Sequence, residues 1–71
     1  MEKDILKELK YVLQEILLTA EWKLKNEDEL TFLTSYWDEF QKQIEKWLLA
    51  LARVQEGEYE IASEILEEIE F

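Results

Sequence analysis

Residues 27–56 read EDELTFLTSYWDEFQKQIEKWLLALARVQE, thirty positions with neither proline nor glycine. At 100° per residue, Leu30, Leu33, Tyr36, Trp37, Phe40, Ile44, Trp47, Leu48, Leu51 and Val54 form one apolar stripe. Asp38, Gln41, Lys42, Glu45 and Arg53 fall on the other side. This periodicity predicts one long amphipathic helix. Asn26 followed by Glu29 has the spacing of a capping box, and Glu27 and Asp28 add the negative charge that a helix N-terminus favours. The weak stretch is Thr31 to Ser35, where Thr34 or Ser35 offers an alternative cap for a later start. Gly57, the only glycine, is placed to end the helix as a left-handed cap.

Working outward, residues 3–25 carry a core stripe of Leu6, Leu9, Leu13, Ile16, Ala20 and Leu24, flanked by Ile5, Val12 and Leu17. Lys23 and Lys25 lie in the last turn, where cations suit the helix dipole. A third helix over residues 58–70 is expected to bury Ala62, Ile65, Leu66 and Ile69. With connections this short, sequential helices pack antiparallel. The expectation is a single all-α domain over residues 1–71, an up-down-up three-helix bundle with helices at about 3–25, 27–56 and 58–70.

The segment from Leu49 and Ala50 through Gly57, Tyr59 and Ala62 to Leu66 and Ile69 resembles a single tetratricopeptide hairpin. That family places a small residue on the first helix, a glycine-acid-tyrosine turn, and an alanine that lets the second helix pack close. The resemblance covers about the last third of the chain and implies binding of a peptide or partner protein. The whole chain also resembles computationally designed helical miniproteins: Glu, Leu, Lys and Ile dominate, and proline, histidine and cysteine are absent.

Composition removes several functions. Eighteen acidic against eight basic residues give a net charge of −10, which repels nucleic-acid phosphates and anionic lipid surfaces. The longest apolar run, Trp47 to Ala52, is far short of the roughly 20 residues that span a bilayer. The N-terminus has no signal-peptide pattern, so a natural chain of this kind is expected in the cytoplasm. Without histidine or cysteine the usual general base, most nucleophile pairs and nearly every zinc constellation are missing. The shared-face carboxylates Glu60, Glu64 and Glu67, and Asp38 with Glu45, lie opposite the apolar stripes and read as solvated faces. No catalytic residue, metal ligand, cofactor or small-molecule substrate is expected.

One feature exceeds the needs of a core. Tyr11, Leu18 and Trp22 lie within about 40° of one another and roughly opposite the core stripe of the first helix. Either the third helix covers them or they form a partner-binding or self-association surface, since aromatic residues with leucine are common interface anchors. Phe71 is expected to fold back on the bundle end. The favoured reading is a non-catalytic protein-binding bundle, natural or designed as a binder. Two alternatives stand beside it: an acidic nucleic-acid-mimicking inhibitor, as among phage antidefence (anti-CRISPR-like) proteins, and a self-associating scaffold.

Overall fold

A computed structural model describes residues 2–71, with side chains from residue 4 onward. The fold is all-α: three helices and, among the described residues, no strand. Helix α1 spans Glu2–Asn26. Helix α2 opens with an α-turn, Glu29–Thr31, passes through a π-helical stretch, Phe32–Tyr36, and continues as Trp37–Gln55. Helix α3 is the short Tyr59–Glu67. Each helix touches both of the others.

The core gathers where all three meet. Ile5, Leu9, Val12 and Ile16 of α1, Ala50 of α2, and Ala62 and Leu66 of α3 form it together with Ile69, and Ile16 is the largest side chain fully enclosed. Ala50 and Ala62 have no exposed surface. Two methyl-sized side chains let the backbones of α2 and α3 approach closely, which is why Phe40, Ile44, Trp47, Leu51 and Val54 need only lap over the cluster.

The α2–α3 corner follows from one residue. Gly57 has φ +79°, a left-handed conformation in which a Cβ is strained. That turn lets Glu58 N–H donate to the Arg53 carbonyl (2.9 Å) and Gly57 N–H to the Val54 carbonyl (3.0 Å). These are the two bonds of a Schellman ending, as the glycine predicts.

The start of α2 differs from expectation. The cap is Asp28, whose Oδ1 accepts from Thr31 N–H at 2.7 Å, and not Asn26. Asn26 belongs to α1 and donates from Nδ2 to the Trp22 carbonyl at 2.8 Å, closing the last turn of that helix. Of the two residues between the helices, Glu27 donates its backbone N–H to the Lys23 carbonyl at the end of α1 (2.9 Å) and Asp28 accepts at the start of α2.

The stretch Thr31 to Ser35 does not start a new helix; α2 runs through it with a π-turn. Thr34 Oγ1 donates back to the carbonyls of Leu30 (2.9 Å) and Thr31 (3.3 Å), a bond that competes with the regular ladder and bends helices. A π-turn takes up one residue more than an α-turn, so everything before it is rotated by about 100° relative to a regular helix. Phe32 points inward, 5% exposed, whereas Leu30 is 71% exposed. The single stripe drawn from Leu30 to Val54 is broken at this point. Leu33, Trp37 and Leu48, expected in the core, are exposed, as are Leu6, Leu17 and Leu24 of α1.

Helix α3 ends three residues before the expected boundary at 70. Its C-terminal segment carries Glu67, Glu68 and Glu70 and no cation, and negative charge opposes the helix dipole there. Donors from α2 substitute: Gln43 Nε2 donates to the Glu70 carbonyl and Lys46 Nζ to the Glu68 carbonyl (3.3 Å). Ile69 is thereby held in the core while Phe71 stays exposed, contrary to the expected fold-back.

Candidate functional site

The three sequence-predicted contact residues stand on one line along α1. Tyr11, Leu18 and Trp22 are 62%, 58% and 62% exposed. Their spacing of seven and four residues keeps them in register with the helical repeat. The core residues of the same helix, Ile5, Leu9, Val12 and Ile16, occupy the opposite side, so α3 does not cover the line. Among the described residues thirteen large apolar side chains are exposed, and these three lie together on one face.

The lower end of the line is the more ordered. Beside Trp22, Glu21 and Lys25 form an i,i+4 ion pair at 3.0 Å, and the Trp22 carbonyl carries the Asn26 amide. Leu18, Glu21, Trp22 and Lys25 together line a shallow depression. It presents an indole and a leucine for apolar contact, with a rim carrying one charge of each sign. Such a surface suits a partner side chain that is apolar at its tip and polar at its stem.

The junction of α1 and α2 carries the polar network nearest to that face. Tyr36 donates from its hydroxyl to Glu27 Oε1 at 3.0 Å, and Lys23 Nζ sits 4.3 Å above the Tyr36 ring while reaching Glu39 at 3.6 Å. The Glu27 carboxylate accepting from Tyr36 pushes the phenol above its ordinary value. Asp28, held by the Thr31 N–H, lies below the ordinary carboxylate value. Both shifts arise from local hydrogen bonds that fix the helix junction.

The carboxylates weighed for chemistry do not converge in the interior. Glu60, Glu64 and Glu67, and likewise Asp38 and Glu45, are exposed. Among the described residues no helix is long and apolar enough to cross a membrane. No known family, curated protein or solved structure matches the chain.

Helical phase set Tyr11, Leu18 and Trp22 apart from the core stripe but left open whether α3 covers them; the structure leaves them exposed. It missed Gln43 and Phe32, both buried. Gln43 carried no signal, being a polar residue on a stripe of aromatic ones. Phe32 lies about 100° from the centre of the stripe drawn from the sequence and so was left out of it.

Proposed function

We propose that this chain is a non-catalytic protein-binding module, an up-down-up three-helix bundle that engages a foreign protein through Tyr11, Leu18 and Trp22. The observation that carries this reading is the line itself: three large side chains, each about three-fifths exposed, on the face of α1 turned away from its own core. Exposing a tyrosine, a leucine and a tryptophan in register offers apolar area that a partner can remove from water, at roughly 25 cal/mol per Å². The helix directions rest on cross-contacts. Lys23 meets Glu39 and Trp47 meets Leu9, as expected if α1 and α2 run oppositely, and Gln43 meets Glu70 and Arg53 meets Glu58, as expected if the C-terminal segment returns along α2.

A second reading has its own observation. Residues 56–70 hold seven glutamates and no lysine or arginine, a density suited to a basic, phosphate-binding groove. Salt separates the two readings, since ionic contacts weaken steeply as the Debye length falls to about 3 Å at 1 M, whereas apolar anchoring does not.

The test is a photo-crosslinking residue at Tyr11, followed by calorimetric titration of the trapped protein against Y11A/L18A/W22A. A variant that keeps its helical circular dichroism but loses at least about a hundredfold in affinity supports the proposal, three anchors being worth several kcal/mol. Unchanged affinity overturns it. Binding that vanishes in high salt and ignores the triple variant transfers the function to the acidic segment.

A further inference from the structure

Tyr11, Leu18 and Trp22 are not the largest apolar surface. Around α1, Glu8 marks the side facing α3, because its carboxylate accepts from Ser63 Oγ at 3.2 Å. At 100° per residue, Leu6, Leu17 and Leu24 lie about 160–180° from Glu8. Around α2, Lys46 marks the α3 side by its bond to Glu68, and Trp37 and Leu48 lie about 160–180° from it. Leu33, one π-turn before Trp37, continues that edge. The contacts Lys23–Glu39 and Trp47–Leu9 bring the two edges side by side. Six large apolar side chains, all exposed, thus share the face of the α1–α2 pair that α3 leaves open.

We infer that this face docks a second copy of the chain, giving a two-fold dimer with a four-helix core and α3 on the outside of each copy.

Three observations select that occupant. The first is size. The chain exposes 5367 Å², against about 4,700 Å² for a monomer of its mass. Its radius of gyration, 13.4 Å, exceeds the roughly 11 Å of a compact domain of this length. The fold is elongated, with Cα extents of 40 × 17 × 15 Å.

The second is area. A leucine side chain worth about 3 kcal/mol at about 25 cal/mol per Å² corresponds to on the order of 120 Å². Six half-exposed groups of this kind, one of them indole, then offer on the order of 400 Å² per copy. Two copies, with the polar rim that makes up roughly 40% of an interface, reach about 1,300 Å², within the span of stable complexes.

The third is charge. Seven of the eighteen acidic residues sit in residues 56–70, with no basic residue among them, on the α3 side, away from this face. The repulsion between two chains of net charge −10 is thereby kept remote from the contact. On the two outer edges of the face stand Lys10 of α1 and Glu45 of α2, at the same height as the Trp47–Leu9 contact. A two-fold axis along the helices sets Lys10 of one copy over Glu45 of the other.

Sedimentation equilibrium of the full chain from about 1 to 100 µM, a range that brackets moderate self-association, tests the inference with L17E/L48E and Y11S/L18S/W22S alongside. The expected result is a dimer for the parent chain and for the Tyr11 line variant. L17E/L48E should stay helical and dissociate at least about a hundredfold more readily, since it buries charge without a partner. A parent chain that is monomeric throughout overturns the inference, as does a dimer abolished by the Tyr11 line variant and kept by L17E/L48E. Should L17E/L48E unfold, dilution of W22F decides. Acrylamide quenching of its remaining Trp37 and Trp47 must rise as the mass falls, and quenching independent of dilution overturns the dimer. The foreign-partner reading concerns a different face and stands or falls separately.

Discussion

The indole Nε1 of Trp47 donates a hydrogen bond of 2.8 Å to the carbonyl oxygen of Leu9, thirty-eight residues away. The acceptor belongs to a helical turn, so the bond ties the backbone of α1 to the middle of α2 and sets the height at which the two helices meet. It also explains why Trp47 is only partly buried. Its ring laps over the core cluster while its polar edge finds an acceptor, as buried indoles generally require.

Trp47→Phe keeps an aromatic ring and removes the donor. The expected loss is about 1–2 kcal/mol, combining a hydrogen bond with a small deficit in volume. Thermal unfolding should show it as a drop of roughly 4–8 °C per kcal/mol for a domain of this length. An unchanged midpoint would mean that the Leu9 carbonyl gains nothing from its second donor.

The start of α2 makes a sharper prediction, because burial there ranks two close residues opposite to the stripe drawn from the sequence. Phe32→Ala should destabilise by about 3–5 kcal/mol, since the ring is buried against Tyr36, Trp37 and Phe40 with centroids 6.0–6.4 Å apart. Leu30→Ala, at a position that the apolar stripe placed in the core and that is exposed, should change stability by less than about 0.5 kcal/mol. Chemical denaturation of the two variants checks the order, and equal losses would mean that Leu30 is packed as firmly as Phe32.

The contrast shows what the sequence made legible. Apolar periodicity placed α1 but set its core face askew: Leu9, Ile16 and Ala20 of the expected stripe are buried, Leu6 and Leu24 are exposed, and the flanking Ile5 and Val12 are buried. Gly57 announced its corner through chemistry that few other residues provide. The same periodicity set Tyr11, Leu18 and Trp22 apart from the core and left open whether α3 covers them. The rest depended on interactions that one-dimensional phase does not contain. Thr34 turning back on Leu30 accompanies a π-turn in α2. Gln43 is buried because it serves a carbonyl twenty-seven residues away. The exposure of Leu6, Leu17 and Leu24 reflects the short reach of α3, which covers one side of the α1–α2 pair and leaves the other open.

At Gly57 the space around the absent Cβ is open, with nothing within 4 Å. A substitution there meets only backbone strain. Gly57→Ala should therefore cost about 1–2 kcal/mol, the penalty of a left-handed residue with a Cβ. Gly57→Asn should recover part of it, because asparagine tolerates that conformation. Equilibrium denaturation measures both, and an alanine as stable as the parent would require a different corner.

The helix junction gives the protein opposite sensitivities at the two ends of the pH scale. Asp28 has a lowered pKa because the Thr31 N–H binds its ionised form. Its stabilising contribution is thus complete above the unfolded carboxylate value near about 3.9 and is lost as pH falls through the folded value. Tyr36 has a raised pKa because its neutral hydroxyl donates to Glu27. That contribution is complete below about 10 and is lost as pH rises through the folded value. Asp28→Asn keeps an acceptor at the cap and should flatten the acid limb of a melting-temperature profile, while Tyr36→Phe should flatten the alkaline limb. A profile unchanged by either variant would remove the corresponding hydrogen bond from the account.

Gln43 decides whether the last four residues belong to the fold. Its amide is buried and donates to the Glu70 carbonyl, beyond the end of α3, while Lys46 holds the Glu68 carbonyl from the surface. Gln43→Leu preserves volume and removes the donor. The Glu70 carbonyl lies next to the chain end and can turn to water, so the net effect on global stability should be small, about 0.5–1.5 kcal/mol. The local effect should be larger. Ile69 is kept in the core by the segment that Gln43 anchors, so amide hydrogen exchange at residues 68–71 should accelerate far more than in α1 or in the middle of α2. Lys46→Ala, which removes the exposed donor alone, should produce a weaker version of the same pattern. Faster exchange spread evenly over all three helices would instead mark Gln43 as a general packing residue, with no particular hold on the C-terminal segment.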